Sequence, residues 1–179
     1  GALYLSSSNT AIGWGSLNVN TTGYHNTATG MKALKSNTTG YQNVANGVNS
    51  LQLNTTGYQN VATGMQSLNV NTTGYSNTAI GYNALNDSTT GFANTAIGNG
   101  AGWKSSTLLE TITSSTFLGN SANSSVDGVT NSMALGNEAQ VTKSNQVVIG
   151  NGSVVETLLR GNVGIGTTGP GAKLDVSGG

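Results

Sequence analysis

The sequence predicts an all-β fold, a parallel β-solenoid (β-roll) with 17-residue coils that shorten to 14–17 residues toward the C-terminus. Three observations predict it. Glycine recurs at one fixed spacing, asparagine and aromatic residues recur in the same register, and no segment keeps the 3.6-residue period of a helix. Stacked coils place identical positions about 4.8 Å apart, as neighbouring parallel strands are. Each recurring residue should therefore form a column along the solenoid.

Two glycine series define the repeat. The first is Gly13, Gly30, Gly47, Gly64, Gly81 and Gly98, and the second is Gly23, Gly40, Gly57, Gly74 and Gly91. Both keep the same 17-residue step, and the unit is roughly N-T-A-I-G-x-x-A-L-x-x-N-T-T-G-Y-x. Glycine and the Asn-Thr clusters are turn signals, and short β-branched runs lie between them. Each unit should therefore form one coil with two short strands and two corners.

Asparagine and aromatic residues should form the structural ladders of this solenoid. The asparagine positions are Asn9, Asn26, Asn43, Asn60, Asn77 and Asn94. The aromatic positions are Tyr24, Tyr41, Tyr58, Tyr75 and Phe92, and Leu17, Leu34, Leu51, Leu68 and Leu85 complete the unit. Side-chain amides can pair from coil to coil, which lets a polar sequence form an ordered core. We expect the aromatic residues to form a stacked spine inside the roll or between chains.

The regularity of the repeat divides the chain into four parts. Residues 1–98 are regular coils, residues 99–115 are expected to be an irregular insertion at one corner, and residues 116–166 are degenerate coils. In the degenerate part, Gly119, Gly136, Gly150 and Gly166 follow one another at unequal steps, none longer than the regular coil. Residues 167–179 are expected to be an exit segment toward a further C-terminal region.

Composition excludes several classes of protein and partner. Six basic and six acidic residues give a formal net charge of zero, so no field attracts nucleic acid or an anionic membrane. No apolar run is long enough to cross a bilayer. The sequence has no cysteine, so disulfides and thiolate metal sites cannot stabilise it. Stability must come from the repeat itself or from other chains.

The sequence does not predict an enzyme, a cofactor or a metal site. The acids Asp87, Glu110, Asp127, Glu138, Glu156 and Asp175 are scattered, and none precedes Asp87. His25 is the sole histidine, at a variable slot of the coil that we expect to face solvent, and general acid–base catalysis needs a partner for such a group. The run 164–169 matches G-x-G-x-x-G, but Pro170 and Gly171 leave no room for the helix of a dinucleotide site. Glycine corners account for the match.

Two stretches carry a family resemblance. Residues 133–153, M-A-L-G-N-E-A-Q-V-T-K-S-N-Q-V-V-I-G-N-G-S, resemble the head repeats of trimeric autotransporter adhesins. The N-T-A-I-G-x-x-A-L units resemble repeats of bacterial-virus tail fibres, and residues 162–178 look like the stretch that precedes an intramolecular chaperone domain in such fibres. The resemblance implies a homotrimer of left-handed parallel β-rolls that attaches to a surface. It implies no ligand-contacting residue.

The expected function is that of a structural and adhesive fibre segment, extracellular at a virion or cell surface. Its partners would be further copies of itself, as a homotrimer or a longer filament, and a glycan or protein receptor. Ice binding is an alternative, because threonine pairs such as Thr21-Thr22 recur at every coil. A glycan-cleaving tail-spike is another, but it would need paired carboxylates in a groove.

Receptor contact is expected where the repeat is broken. Trp103 and Lys104 lie in the insertion, and Trp14 is a second one-off aromatic residue. An aromatic column could also stack on sugar rings. Asn20, Asn37, Asn54 and Asn71 each begin N-T-T, formally a glycosylation acceptor, but a turn stabilised by the Asn and Thr side chains is the favoured interpretation.

Overall fold

A computed structural model describes residues 8–103 and 111–177 as a parallel β-solenoid. The strands in chain order are β1 (Thr10–Ile12), β2 (Thr27–Thr29), β3 (Val44–Asn46), β4 (Val61–Thr63), β5 (Thr78–Ile80), β6 (Thr95–Ile97), β7 (Thr116–Leu118), β8 (Asn123–Ser124), β9 (Met133–Leu135), β10 (Gln140–Val141), β11 (Val147–Ile149), β12 (Val163–Ile165) and β13 (Leu174–Val176). These described residues contain no helix, and so no helix long and apolar enough to cross a membrane.

Nine strands form one parallel sheet that runs the length of the solenoid, in the order β1-β2-β3-β4-β5-β6-β7-β9-β11. From β1 to β6, each strand pairs with the equivalent strand of the next coil in the register of the repeat, as Thr10 pairs with Thr27. A longer coil separates Thr95 from its partner Thr116, and a shorter one separates Met133 from Val147. The predicted all-β parallel solenoid, with the 17-residue step of its regular coils, is confirmed.

Each regular coil contains one strand, whereas the sequence predicted two. The predicted second strand would include the leucine column, but Leu34, Leu51 and Leu68 have φ angles of 48–49°. This left-handed conformation cannot continue an extended strand. Single hydrogen bonds hold the coils together there instead, such as the one that the Leu51 N–H donates to the Ser67 carbonyl at 3.0 Å. A second ladder appears only later, where β8 pairs with β10.

The core is a narrow stack of small and branched side chains. The middle residue of each strand from β2 to β6 is an alanine that points inward, and Phe117 takes that position in β7. Leu34, Leu51, Leu68 and Leu85 fill the other side and have no exposed surface. Their burial offsets the cost of the left-handed backbone, about 1–2 kcal/mol per residue.

Glycine is required at both corner series, for different reasons. Gly47 has a φ of +142°, and a Cβ atom there would lie 2.5 Å from the carbonyl oxygen of Gly64 in the next coil. Gly57 has no positive φ, but a Cβ atom would collide with the Gly74 carbonyl oxygen and with Asn54 Oδ1. The first series therefore needs glycine for conformation and space, and the second series for space alone.

Most of the described part of residues 99–115 follows the coil path. The Gly100 N–H donates to the Tyr82 carbonyl at 2.8 Å, as the Asn83 N–H does to Met65 one coil earlier. Thr113 forms a β-bridge with Phe92. The backbone N–H of Ser115 donates to Asn94 Oδ1 at 3.0 Å, as the backbone N–H of Asn94 does to Asn77 Oδ1 one coil earlier. Residues up to 102 and from 111 onward therefore match positions of the preceding coil. The additional residues of this coil fall between them in the sequence.

The long sheet ends at β11. The sequence predicts that residues 163–166 form a further coil of the solenoid, but β12 pairs with β13 in a separate two-stranded sheet. In that sheet Val163 pairs with Leu174, which follows it by much less than one regular coil. The strand β13 lies within the predicted exit segment 167–179.

Candidate functional site

The asparagine ladder lies inside the solenoid and connects every regular coil. Asn60 Nδ2 donates to the Gly74 carbonyl at 2.8 Å, and Asn60 Oδ1 accepts from both the backbone N–H and the side chain of Asn77 at 3.0 Å. The same arrangement recurs from Asn9 to Asn94. These asparagines are buried, so the ladder is structural and presents nothing to a ligand.

A second asparagine ladder was not recognised as such from the sequence. Asn37, Asn54 and Asn71 are fully buried, and Asn54 Nδ2 donates both to Asn37 Oδ1 at 2.8 Å and to the Gly57 carbonyl at 3.0 Å. The Asn-to-Gly bond within one turn supports the turn interpretation of N-T-T. These side-chain amides are not accessible for glycosylation in the folded chain. The recurrence of this asparagine once per coil was the signal that could have identified the ladder.

The aromatic residues form a row on the outer surface of the solenoid. Tyr24 is 41% exposed, and the other rings of the row are half-buried. Ring centroids from Tyr24 to Phe92 are 4.8–5.0 Å apart, with interplanar angles of 2–6°. The predicted stack is present on the outside of the roll, which excludes the expected position inside it and leaves the position between chains as a prediction. Each inner ring has both faces covered by its neighbours, so only ring edges and hydroxyl groups face solvent and sugar rings have no free aromatic face there.

The tyrosine row changes the pKa of Tyr58. Desolvation in the stack, followed by the charges that Tyr75 and Tyr41 would acquire, raises the pKa of Tyr58 above its ordinary value of 10.0. His25 is exposed, as predicted, and its ring meets Tyr24 edge-on at 5.1 Å between centroids.

The two threonine columns differ in what they offer to solvent. Thr21, Thr38, Thr55 and Thr72 donate their hydroxyl groups to a carbonyl of the next coil at 2.9–3.1 Å. Their neighbours Thr22, Thr39, Thr56, Thr73 and Thr90 are exposed. One of the two threonine columns that suggested ice binding therefore joins neighbouring coils through its hydroxyl groups.

The two tryptophans lie far apart. Trp14 is 71% exposed, and the Lys32 ammonium group lies 5.7 Å from its ring centroid. Trp103 is half-buried, five coils further on, which is on the order of 24 Å at the spacing of parallel strands. The structure does not bring them into one site. Lys104, the third expected contact, lies outside the described residues.

Trp103 has a local polar partner in Asp87. Burial raises the pKa of the Asp87 carboxyl group, and a hydrogen bond with the Trp103 side chain partly offsets this rise. Asp87 is followed by Ser88, which takes the position of Asn71 in the next coil. In the described chain, Asp87 Oδ2, Ser88 Oγ and Asn71 Oδ1 are buried without a hydrogen-bond partner. The second asparagine ladder is thus broken at Ser88, directly after the Asp87 side chain that bonds Trp103.

The acidic residues in the described part of the chain form no cluster with His25. Within residues 8–103 and 111–177, no three His, Asp or Glu side chains lie close enough together to hold a metal ion. Outside the repeated columns, the described geometry pairs Trp14 with Lys32 and Trp103 with Asp87. No protein-family model matches this chain, and no curated protein matches it.

Proposed function

We propose that this chain is a structural and adhesive fibre segment, carried by a virion or a cell as a homotrimer, and that it performs no catalysis. The observation that supports it is the equivalence of successive coils, whose ladders join each coil to the next through the same hydrogen bonds. Identical columns can make a stiff spacer and present one group many times. They do not readily form one asymmetric catalytic pocket.

The proposed receptor is a cell-surface glycan or protein, contacted where the columns are interrupted. Trp14 and Trp103 are the two aromatic residues outside the repeated row that the sequence singled out, and each has one polar neighbour, Lys32 and Asp87 respectively. Irregular positions on a rigid scaffold are where binding specificity usually lies. Three copies in a homotrimer would add avidity to weak single contacts.

The resemblance to trimeric adhesin heads and tail fibres motivates this proposal together with the ladders. Ice binding is less well supported, because the hydroxyl groups of one threonine column are already bonded between coils. The glycan-cleaving alternative needs two carboxyl groups across a groove. Asp87 and Asp127 lie in different coils. Asp87 is partly buried and bonds the Trp103 side chain, and Asp127 has an interaction of its own.

The test is binding of the chain to a glycan array and to whole cells, with Trp14→Ala and Trp103→Ala variants beside it. We expect Trp103→Ala to reduce binding at least tenfold and a control, Val19→Ala, to leave it unchanged. A further variant that lacks Ser105–Leu108 restores the regular step of the repeat and should also lose binding. Wild-type protein that binds no surface or glycan would limit the role to that of a spacer, and unchanged binding in every variant would exclude these contacts.

A further inference from the structure

We propose that residues 147–177, here named the C-terminal segment, hold copies of the chain together by packing against the same segment of two further copies. This inference deepens the proposed function and rests on the homotrimer that it includes. It begins from where burial stops: Val141 is the last buried residue in the described chain. Between Ala28 and Val141, every coil contributes buried residues to the core.

The C-terminal segment is rich in apolar side chains that contact solvent. They are Val147, Ile149, Val154, Val155, Leu158, Leu159, Ile165, Leu174 and Val176. Val155 is fully exposed, and Leu158 and Leu159 are 71% and 63% exposed. Exposed apolar residues occur singly on most surfaces, but a run of this density marks an interaction surface. Covering these side chains would remove apolar surface from water and so stabilise an assembly.

The backbone of the same segment is also incompletely paired. The strand β11 pairs with β9 on one side and is the last strand of the long sheet, so its other edge is open. The strands β12 and β13 form an isolated two-stranded sheet. Such a sheet is at best marginally stable alone, and an open edge invites pairing with another chain. Both features are those of a segment that is completed by association.

Charge balance favours a second copy of this chain as the partner. The C-terminal segment carries Glu156, Arg160, Lys173 and Asp175, two acids and two bases, so it has no net charge. It would neither attract nor repel a copy of itself, and Glu156 of one copy can face Arg160 of another. A nucleic acid or a strongly acidic protein would find no complementary field.

A groove beside β11 gives the apolar side chains a place to pack. It has a volume of about 420 Å³, and Glu138, Gln140 and residues 148–152 line it. It adjoins the C-terminal segment directly, since Val154 lies against Gly150. The groove is open to solvent and its lining includes polar groups, so a leucine or valine of a neighbouring copy would lie there against Val148 and Ile149.

The test compares particle mass, measured by light scattering on the full chain, for three proteins. The first is the wild type, and the second carries Val155→Asp, Leu158→Asp and Leu159→Asp. The third is a matched control with three exposed residues of the long sheet changed, Ile12→Asp, Val44→Asp and Ile80→Asp. We expect the mass to fall threefold in the second protein alone. The altered side chains are exposed, so the far-ultraviolet β signal should persist in all three.

Other results overturn the inference in distinguishable ways. A trimeric wild type whose segment variant stays trimeric, or whose control variant also dissociates, removes the C-terminal segment as the interface and leaves the proposed homotrimer standing. A monomeric wild type at micromolar concentration removes both. Because the chain has no cysteine, a spin label on Val155→Cys gives a second readout. Dipolar broadening is expected there, and its absence in a trimer contradicts the inference.

Discussion

Buried asparagine side chains occupy positions that hydrophobic residues fill in most cores. Asn26, Asn43 and Asn60 have no exposed surface, and each amide both donates to and accepts from the backbone of a coil. A buried polar group without a partner costs about 1–3 kcal/mol, so satisfying both ends of the amide is essential. A serine satisfies the same position further along the column, where Ser115 Oγ donates to one backbone carbonyl at 2.8 Å and accepts from one backbone N–H at 3.2 Å.

Ser88 interrupts the second asparagine ladder, and its replacement by asparagine should stabilise the chain. Asn71 Oδ1 has no donor among the described residues because Ser88 stands where the next asparagine would donate, and Ser88 Oγ has no partner there either. In Ser88→Asn, the new amide can reach Asn71 Oδ1 as Asn71 reaches Asn54 Oδ1 at 2.8 Å. We expect a gain of about 1 kcal/mol in urea unfolding. The exposed control Ser153→Asn should change nothing, and a loss of stability in Ser88→Asn would contradict the ladder geometry.

Gly47→Ala tests the close approach of coils at the corner. The new methyl group would lie 2.5 Å from the Gly64 carbonyl oxygen, and the φ of +142° is strained for any other residue. We expect a destabilisation of roughly 3 kcal/mol or more, measured by urea unfolding. Gly152→Ala is the matched control, since no atom lies within 4 Å of its Cβ position. Equal stability of the two variants would show that the coils are further apart than described.

At the scale of the element, the ladder is the unit that joins coils. Asn60→Ala removes the donor to the Gly74 carbonyl and the acceptor of the Asn77 N–H. Two buried backbone groups then lack partners, so we expect a loss of about 3 kcal/mol. Calorimetry can measure it, with Gln59→Ala on the adjacent column as control. A smaller loss of stability in Asn60→Ala than in Gln59→Ala would mean that the asparagine amides do not hold the coils together.

The tyrosine row should make stability fall at alkaline pH. The pKa of Tyr58 is raised in the folded chain above the ordinary 10.0, so the unfolded chain releases this proton first. Stability is therefore full below pH 10 and declines as the pH rises through the folded value. Urea midpoints between pH 8 and 11 should show this decline, and Tyr58→Phe should reduce it. A phenol titration at or below pH 10 would contradict the stacked geometry.

The repeat allowed most of these elements to be predicted, and the exceptions have physical causes. The spacing of Gly47 and Asn43 indicated which residues would stack, because a solenoid places equal positions together. It did not indicate that Leu51 adopts a left-handed backbone, since leucine disfavours that conformation and only its burial and hydrogen bond compensate. The outward position of Tyr58 was left open, because stacking satisfies an aromatic residue equally well inside the roll or between chains.

At the scale of the whole molecule, the chain divides into a self-contained solenoid and a C-terminal part whose described residues are not buried, although Val148 packs against the core. Coil-to-coil bonds satisfy the first part internally, which the repeat foreshadowed. The change after Val141 was harder to predict, because the V-V-I-G and V-G-I-G motifs continue to resemble strands of the coil. The pattern of motifs specifies which residues form strands, but burial depends on what covers them. The proposed sites at Trp14 and Trp103 were suggested by their irregularity and remain predictions.

The most direct test of the fibre proposal is the native mass of the unmodified chain in solution. A single chain has a mass of 18.0 kDa. Light scattering coupled to size exclusion, across micromolar concentrations, should give three times this mass or a multiple of it. The physical reason is the uncovered apolar surface of the C-terminal segment, which three copies would bury together. A stable particle with the mass of one chain over the whole range would contradict the proposal.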